Sequence, residues 1–307
     1  MLPSAERRRP CDRLELIGDL RDGAAGVEHG GRAGPQQRLD SLDVLDDEPT
    51  LALRLPVVVR HPRPDALAIG YRHVDTAQMY GNEAGVGEAV AASGLARDEV
   101  FVTTKLNNGN HRPDDARRSF ARSLETLGLV HVDLFLIHWP RARQDPDGYV
   151  AAWRVLEEFA RDGRARSIGV SNFEVEHLER LAVETDVVPA VNQIELHPYF
   201  QNREVADWGE RHGVVTEAWA PIARGAVLDD PVVAEVAGAH GRTPAQVVLR
   251  WHLQHRYVVF PKSSSAARLR ENFDVFGFEL SAGEMARIDG LDRGEAGRTG
   301  MHPNAFG

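Results

Sequence analysis

The 307-residue sequence has very little cysteine, no long apolar run and no excess of basic charge. Its single cysteine, Cys11, excludes an intramolecular disulfide and a cysteine-based zinc site. Since a membrane helix needs roughly 18 or more apolar residues in a row, the sequence predicts no membrane span. The net charge of −10 argues against nucleic acid as a partner. No apolar segment of a secretory signal follows the charged first residues, so we expect a cytoplasmic protein.

Aromatic side chains are absent from residues 1–66, although the rest of the chain contains all 21 of them. The same stretch contains seven of the 17 prolines and offers little with which to build a core. Its only plausible strand is residues 55–59, Leu-Pro-Val-Val-Val. We therefore predict an atypical, irregular N-terminal segment over residues 1–66 and a folded domain over residues 67–307.

Lysine is almost absent as well. Lys105 and Lys262 are the only lysines, and the other 34 basic residues are arginines. Lysine differs from arginine in carrying a compact ammonium group whose pKa responds to its surroundings. Both lysines are therefore candidates for function, and the alternative is that they persist by chance on a solvated surface.

From Gly70 onward, short β-branched or aromatic runs alternate with amphipathic segments of helical periodicity. The predicted strands are residues 71–76, 100–105, 132–138, 166–171, 190–195, 214–220 and 257–261. The predicted helices include residues 113–127, 149–162, 174–184, 203–212 and 244–254. Near-continuous apolar strands, each followed by a helix, indicate a parallel sheet that is buried on both faces.

Two α/β folds could contain these seven βα units. A doubly wound sheet is disfavoured, because no Gly-x-Gly-x-x-Gly turn follows any of the strands. We therefore predict a (β/α)8 TIM barrel. Its remaining strand would have to come from residues 55–59, so the first βα unit is missing or atypical.

Polar residues end three successive predicted strands, namely Asp75, Lys105 and His138. In such barrels the active site lies at these carboxyl ends. Tyr80 follows Asp75 by five residues, and a nearby ammonium group is expected to lower its phenol pKa towards a value useful for proton donation. The alternative is an Asp–Lys ion pair that only closes one end of the barrel.

Five segments of the sequence resemble signatures of the aldo-keto reductase family. The first is residues 70–83, Gly-Tyr-Arg-His-Val-Asp-Thr-Ala-Gln-Met-Tyr-Gly-Asn-Glu. The others are residues 127–140, 168–173, 191–198 and 260–263, the last continuing to Arg268, Glu271 and Asn272. The resemblance runs from about residue 70 to residue 292 and is strongest to bacterial members of the 2,5-diketo-gluconate reductase type. It implies reduction of an aldehyde or ketone to an alcohol by hydride transfer from NADPH.

The resemblance also implies roles for individual residues. Asp75, Tyr80, Lys105 and His138 match the catalytic tetrad, with Tyr80 as general acid, Lys105 and Asp75 as its tuning pair and His138 as orienting donor. The implied contacts to the nicotinamide carboxamide are Ser171, Asn172 and Gln193, and Trp219 is implied to stack on the nicotinamide ring. The adenosine 2′-phosphate would be bound by Lys262, Ser263 and Arg268. The adenine would be contacted by Glu271 and Asn272. Trp139 is implied to line the substrate pocket, with packing alone as the alternative.

Three other interpretations stay open at this level. Because the family's first hairpin, strand and helix are not recognisable in residues 1–66, the chain could bind NADPH and yet be catalytically impaired. Lys105 could instead form a Schiff base in an aldolase. His73, His197 and Asp75 could suggest a metal site, but the resemblance gives Asp75 another role, and we predict no metal. We expect a small carbonyl substrate as partner, with no nucleic acid or membrane, and a monomeric protein.

Overall fold

The computed structural model describes residues 57–58, 64–263 and 265–306. Most of the predicted irregular segment, residues 1–66, therefore lies outside the described residues. Within that segment, residues 57–58 form a strand, and a helix begins at Pro64, three residues before the predicted start of the folded domain. A proline at the first position of a helix is favoured, because its missing N–H would have no partner there.

An eight-stranded parallel sheet forms the centre of the described structure, with its strands in sequence order. The strands are β1 (Val57–Val58), β2 (His73–Asp75), β3 (Phe101–Leu106), β4 (Val132–Ile137), β5 (Ala165–Ser171), β6 (Val191–Glu195), β7 (Val215–Trp219) and β8 (Val258–Val259). The helices are α1 (Pro64–Ile69), α2 (Glu83–Ala92), α3 (Pro113–Leu127), α4 (Gly148–Arg161), α5 (Val175–Glu184), α6 (Arg203–His212), α7 (Pro231–His240), α8 (Pro244–Gln254), α9 (Ala266–Phe273) and α10 (Ala282–Asp289). This alternation confirms the predicted (β/α)8 class.

The first strand comes from the predicted run at residues 55–59. Val57 is in register with Val74 of β2, and Val58 is in register with Asp75. This two-residue strand adds an eighth member to the seven predicted βα units. An unpaired edge of β2 would leave backbone groups without partners, and β1 supplies them.

The helices cover the outer face of the sheet through apolar side chains at helical spacing. On α3, Phe120 stacks against Phe135 of β4 with ring centroids 4.1 Å apart, and its centroid lies 4.5 Å from that of Phe159 on α4. All three rings are fully buried, and burial of one such side chain stabilises a fold by roughly 1.5–3 kcal/mol. The inward-facing residues of the strands are consequently free to carry chemistry. No helix within the described ranges is long and apolar enough to span a membrane.

Candidate active site

A buried ion pair joins the ends of β2 and β3. The Nζ of Lys105 lies 2.6 and 2.5 Å from the two carboxylate oxygens of Asp75, and it also donates to the carbonyl of Thr76 at 3.0 Å. Lys105 is 0% exposed. Burial by itself would lower the pKa of Lys105, but the charges of Asp75 and Tyr80 and the hydrogen bond to Asp75 outweigh this effect and raise it. The ammonium group is therefore a fixed positive charge.

This geometry argues against the aldolase interpretation. A Schiff-base lysine needs an uncharged amine that can reach a carbonyl carbon. The amine of Lys105 is fully buried, its pKa is raised, and its protons are donated to Asp75 and Thr76. Lys105 is thus placed to act on a neighbour by its charge.

Tyr80 and His138 lie beside this pair. Tyr80 ends a short 3₁₀ turn after β2, and its ring centroid is 5.3 Å from the Nζ of Lys105. The rings of Tyr80 and His138 meet edge to face with centroids 5.6 Å apart. The structure thus brings together the four residues Asp75, Tyr80, Lys105 and His138.

The expected lowering of the Tyr80 pKa is wrong as a net effect. Although 43% of the residue is exposed, burial around the phenol is the largest influence and raises its pKa. Lys105 opposes this by its charge and by a hydrogen bond, while the charge of Asp75 raises the pKa further. The phenol consequently stays protonated at neutral pH, and the lysine limits the rise.

His138 is an uncharged imidazole at neutral pH. Burial is the main cause, and the positive charge of Lys105 adds to it, so that the pKa of His138 falls to about 3. Its Nδ1 is buried and has no hydrogen-bond partner among the described residues. A neutral imidazole carries one proton, and the lack of an acceptor near Nδ1 favours the tautomer with that proton on Nε2.

A row of polar side chains crosses the ends of β5 and β6. The hydroxyl of Ser171 donates to the carbonyl of Gln193 at 2.8 Å. Asn172, which follows β5 with a left-handed backbone (φ 63°), donates from Nδ2 to the carbonyl of His138 at 2.9 Å and to the hydroxyl of Ser171 at 3.0 Å. Asparagine tolerates this backbone conformation better than most residues. The three residues predicted to hold a carboxamide are thus adjacent.

Trp219 ends β7 next to this row. Its indole Nε1 donates to the Oδ1 of Asn172 at 2.8 Å, which fixes the plane of the ring. A side chain at Gly300 would begin 2.5 Å from the Trp219 ring, so only glycine lets the C-terminal segment pass so close to it. The implied role of Trp219 concerned only its stacking on the nicotinamide ring and did not include the hydrogen bond to Asn172.

The predicted phosphate-binding residues follow β8 and begin α9. The Nε of Arg268 lies 3.3 Å from the hydroxyl of Ser263, and both Arg268 and Lys262 are exposed. Glu271 and Asn272 are half-buried on the same helix, and the carboxylate of Glu271 accepts a hydrogen bond from Thr243 at 2.7 Å. The guanidinium group of Arg268 and the hydroxyl group of Ser263 therefore lie together, and the exposed Lys262 precedes Ser263 in the chain.

Trp139 faces the C-terminal segment of the chain. Its ring stacks on that of Phe306, with centroids 4.4 Å apart and planes 14° from parallel. The segment is held by Glu195 at the end of β6, which accepts hydrogen bonds from the backbone N–H groups of Thr299 and Gly300 at 2.6 and 2.8 Å. Burial opposes ionisation of Glu195, but these bonds and one from His197 lower its pKa to about 2. The mouth of the barrel thus has a fixed apolar wall.

The histidines considered for a metal have other partners. The Nε2 of His73 lies 2.8 Å from the hydroxyl of Thr103, and the Nε2 of His197 lies 3.1 Å from the carboxylate of Glu195. Asp75 is engaged by Lys105. Within the described part of the chain, these side chains do not converge on one point.

Sequence reasoning missed one acidic residue of the site. Glu217 lies on β7 and is buried beside Gln193. Its Oε2 accepts a hydrogen bond from the Nε2 of Gln193 at 2.9 Å. Glu217 lies in the middle of β7 and not at its end, so the search for polar residues at strand ends did not select it.

A parallel barrel with a charged pair, a phenol and a neutral imidazole at its strand ends defines a TIM-barrel enzyme equipped for proton transfer. The chain belongs to the aldo/keto reductase family, whose sequence profile matches residues 64–293. It is 48% identical over 245 residues to methylglyoxal reductase DkgA of Yersinia pestis, covering 79% of this chain and 86% of that protein. It is also 48% identical to morphine 6-dehydrogenase of Pseudomonas putida, covering 75% and 81%. A mutant of Gox0644 in complex with NADPH has a TM-score of 0.78 and 45% identity, covering 83% of this chain and 94% of that one.

Proposed function

We propose that the protein is an NADPH-dependent reductase of small aldehydes or ketones, with residues 67–307 as its catalytic domain. The observation that carries the proposal is the buried pair of Lys105 and Asp75 beside the ring of Tyr80. A barrel interior that only needed closing would not require two buried charges, since a buried ion pair gives little net stability over apolar residues.

The described residues fit the implied cofactor. The Oε1 of Gln193 accepts no hydrogen bond from any described residue, so it is available to the carboxamide NH₂ of a nicotinamide. Trp219 would present its ring to the nicotinamide, and Lys262, Ser263 and Arg268 would bind the 2′-phosphate that distinguishes NADPH from NADH. When bound, NADPH supplies the hydride that reduces the carbonyl carbon.

Tyr80 would supply the proton in this reaction. As the carbonyl carbon accepts a hydride, its oxygen becomes an alkoxide and takes the phenolic proton of Tyr80. The phenolate left behind is stabilised by the ammonium group of Lys105, which Asp75 holds in place. Because Tyr80 is 43% exposed, it can recover a proton from water afterwards.

His138 would orient the substrate. Being uncharged, it cannot compete with Tyr80 as an acid, and its Nε2–H can donate a hydrogen bond to the carbonyl oxygen. Trp139 and Phe306 would border the substrate on the apolar side. Methylglyoxal is the first substrate to test, because it appears in the name of a relative that is 48% identical.

The proposal also includes the compartment and the oligomeric state, namely a monomer in the cytoplasm. All residues assigned to cofactor and substrate come from one chain, which supports action as a monomer. The lone cysteine needs no oxidising compartment, and this supports a cytoplasmic location.

The direct test is the variant Tyr80→Phe. We expect the wild-type protein to oxidise NADPH in the presence of methylglyoxal, and the variant to lose turnover by roughly 10²–10⁴-fold, the usual worth of a general acid. NADPH affinity should stay nearly unchanged, because the hydroxyl group touches no assigned cofactor contact.

The same assay distinguishes an active reductase from a catalytically impaired protein that only binds NADPH. NADPH binding without turnover of any small aldehyde by the wild-type protein would favour a binding protein. Turnover of Tyr80→Phe within a few-fold of wild type would remove Tyr80 from its assigned role.

A further inference from the structure

Glu217 is a buried acidic side chain in the site, and the reaction as described gives it no part. It is 2% exposed and lies on β7. The backbone register places it beside Gln193 of β6, which is itself beside Ser171 of β5. A buried carboxyl group is unfavourable unless it is hydrogen-bonded, so its presence in the barrel interior requires a reason.

The hydrogen bonds of Gln193 supply that reason. Its Nε2 donates to the Oε2 of Glu217 at 2.9 Å and to the Oδ1 of Asp75 at 3.1 Å. An amide nitrogen has two protons, and both are accepted here by carboxyl oxygens. Asp75 is in turn held by Lys105. A continuous chain of hydrogen bonds therefore runs from Lys105 through Asp75 and Gln193 to Glu217.

This chain determines which way the amide of Gln193 faces. Two acceptors lie on the side of its nitrogen, so its oxygen faces the opposite way. Without Glu217, one amide proton would be buried and unpaired, which is unfavourable and would leave the amide held by Asp75 alone. By accepting this second proton, Glu217 stabilises the observed orientation of the amide.

We propose that Glu217 is a positioning residue for the coenzyme, because it holds the amide of Gln193 with Oε1 directed to the carboxamide NH₂ of a nicotinamide. The inference rests on the proposed function. An acceptor facing an NH₂ group forms a hydrogen bond, whereas a turned amide would place two donors against each other. Glu217 thus acts on the coenzyme through Gln193 and not by touching it.

The test compares two ligands that differ only at this NH₂ group. They are NADP⁺ and its 3-acetylpyridine analogue, in which a methyl group replaces the NH₂, and each dissociation constant is measured by quenching of tryptophan fluorescence. We expect wild-type protein to bind NADP⁺ roughly 2- to 12-fold more tightly, the worth of one neutral hydrogen bond. In Glu217→Leu the ratio should fall towards one, because Asp75 alone then holds the amide of Gln193. A general loosening of the barrel would weaken both ligands and leave the ratio unchanged.

A matched control is available in Glu157→Gln. Glu157 is also a buried acid, but on α4, where it accepts hydrogen bonds from the N–H groups of Asp186 and Val187 at 2.9 Å. This variant should keep the wild-type ratio, since Glu157 has no bond to Gln193.

Glu217→Gln keeps the inference testable if the leucine variant does not fold. Burial is the main cause that raises the pKa of Glu217 to about 8, with the charge of Asp75 acting in the same direction and Gln193 and Lys105 opposing it. These groups face it from β2, β3 and β6, while β8 contributes Val258 at the paired position. Ionisation makes Glu217 a stronger acceptor. NADP⁺ affinity should therefore rise from about pH 7 to about pH 9 in wild type relative to Glu217→Gln.

The outcomes distinguish this inference from the proposed function. A wild-type ratio near one, or a wild-type ratio retained in Glu217→Leu, would overturn the role of Glu217 while NADPH-dependent turnover still stood. Equal pH profiles for wild type and Glu217→Gln would do the same. Failure of wild-type protein to bind either ligand would overturn both.

Discussion

Lys105 and Lys262, the two lysines of the sequence, lie in opposite environments. Lys105 is fully buried, and its ammonium group is held by Asp75 and the carbonyl of Thr76. Lys262 is exposed on the loop after β8, next to Ser263 and close in sequence to exposed Arg268. The buried ammonium is screened little by solvent, whereas the exposed one is hydrated and screened by salt.

The difference shows what each region can do. A buried charge with fixed partners can act on the proton of a neighbouring phenol without solvent reorganisation. Exposed cations suit an anionic ligand that arrives from solution, because their charged groups are accessible at the surface. Chemistry and cofactor affinity should therefore respond to different substitutions.

The largest effect is expected from removing the buried lysine. In Lys105→Met the carboxylate of Asp75 stays buried without its cation, which should reduce the free energy of unfolding by roughly 3–5 kcal/mol and abolish turnover. Urea denaturation measures the first effect, and NADPH oxidation measures the second.

Lys262→Met is the matched control for stability. Because Lys262 is exposed, its replacement should change the free energy of unfolding by no more than about 0.5 kcal/mol. Equal destabilisation by the two lysine substitutions would remove the contrast between the two regions.

A smaller effect is expected at the phosphate-binding loop. Arg268→Ala should weaken NADPH binding by about 1.5–3 kcal/mol, the worth of a hydrogen bond to a charged group, and leave NADH binding nearly unchanged. Arg270→Ala, exposed on the same helix α9, serves as the control and should affect neither cofactor. Equal losses for NADPH and NADH in Arg268→Ala would show that the 2′-phosphate lies elsewhere.

The smallest effect concerns the pH dependence of stability. The pKa of His138 is about 3 in the folded protein and about 6.5 in an unfolded chain, so below pH 6.5 the unfolded state gains a proton that the folded state does not. Wild-type protein should consequently lose roughly 0.7 kcal/mol at pH 6 relative to its stability at pH 7. His138→Gln, measured by urea denaturation at both pH values, should lack this component. An unchanged difference between the two pH values would contradict the assignment of a neutral buried imidazole.

The sequence predicted the parts of the fold that periodicity and caps determine. Helices over residues 113–127, 203–212 and 244–254 were predicted with the bounds that the structure has. The first and third of these begin with a proline at a favoured position. In contrast, α7 was not predicted, because its sequence, Pro-Val-Val-Ala-Glu-Val-Ala-Gly-Ala-His, has too few polar residues to show one apolar face.

Apart from the family resemblance, the site was predictable mainly where a residue type at a strand end carries the signal. Asp75, Lys105 and His138 stand out in this way. Glu217 does not, because its role depends on a side chain of another strand, and the net pKa of Tyr80 depends on burial that no spacing reveals. The hydrogen bond from Thr299 to Glu195 joins residues that are 104 positions apart, so the sequence could not predict it either.

One crossed measurement tests the separation of chemistry from cofactor affinity most directly. Turnover of methylglyoxal at saturating NADPH and the NADPH dissociation constant are both measured for Tyr80→Phe and Arg268→Ala. We expect Tyr80→Phe to lose turnover with an unchanged dissociation constant, and Arg268→Ala to keep turnover with a raised one. If each variant lost turnover and affinity together, the two regions would not have the separate functions assigned to them.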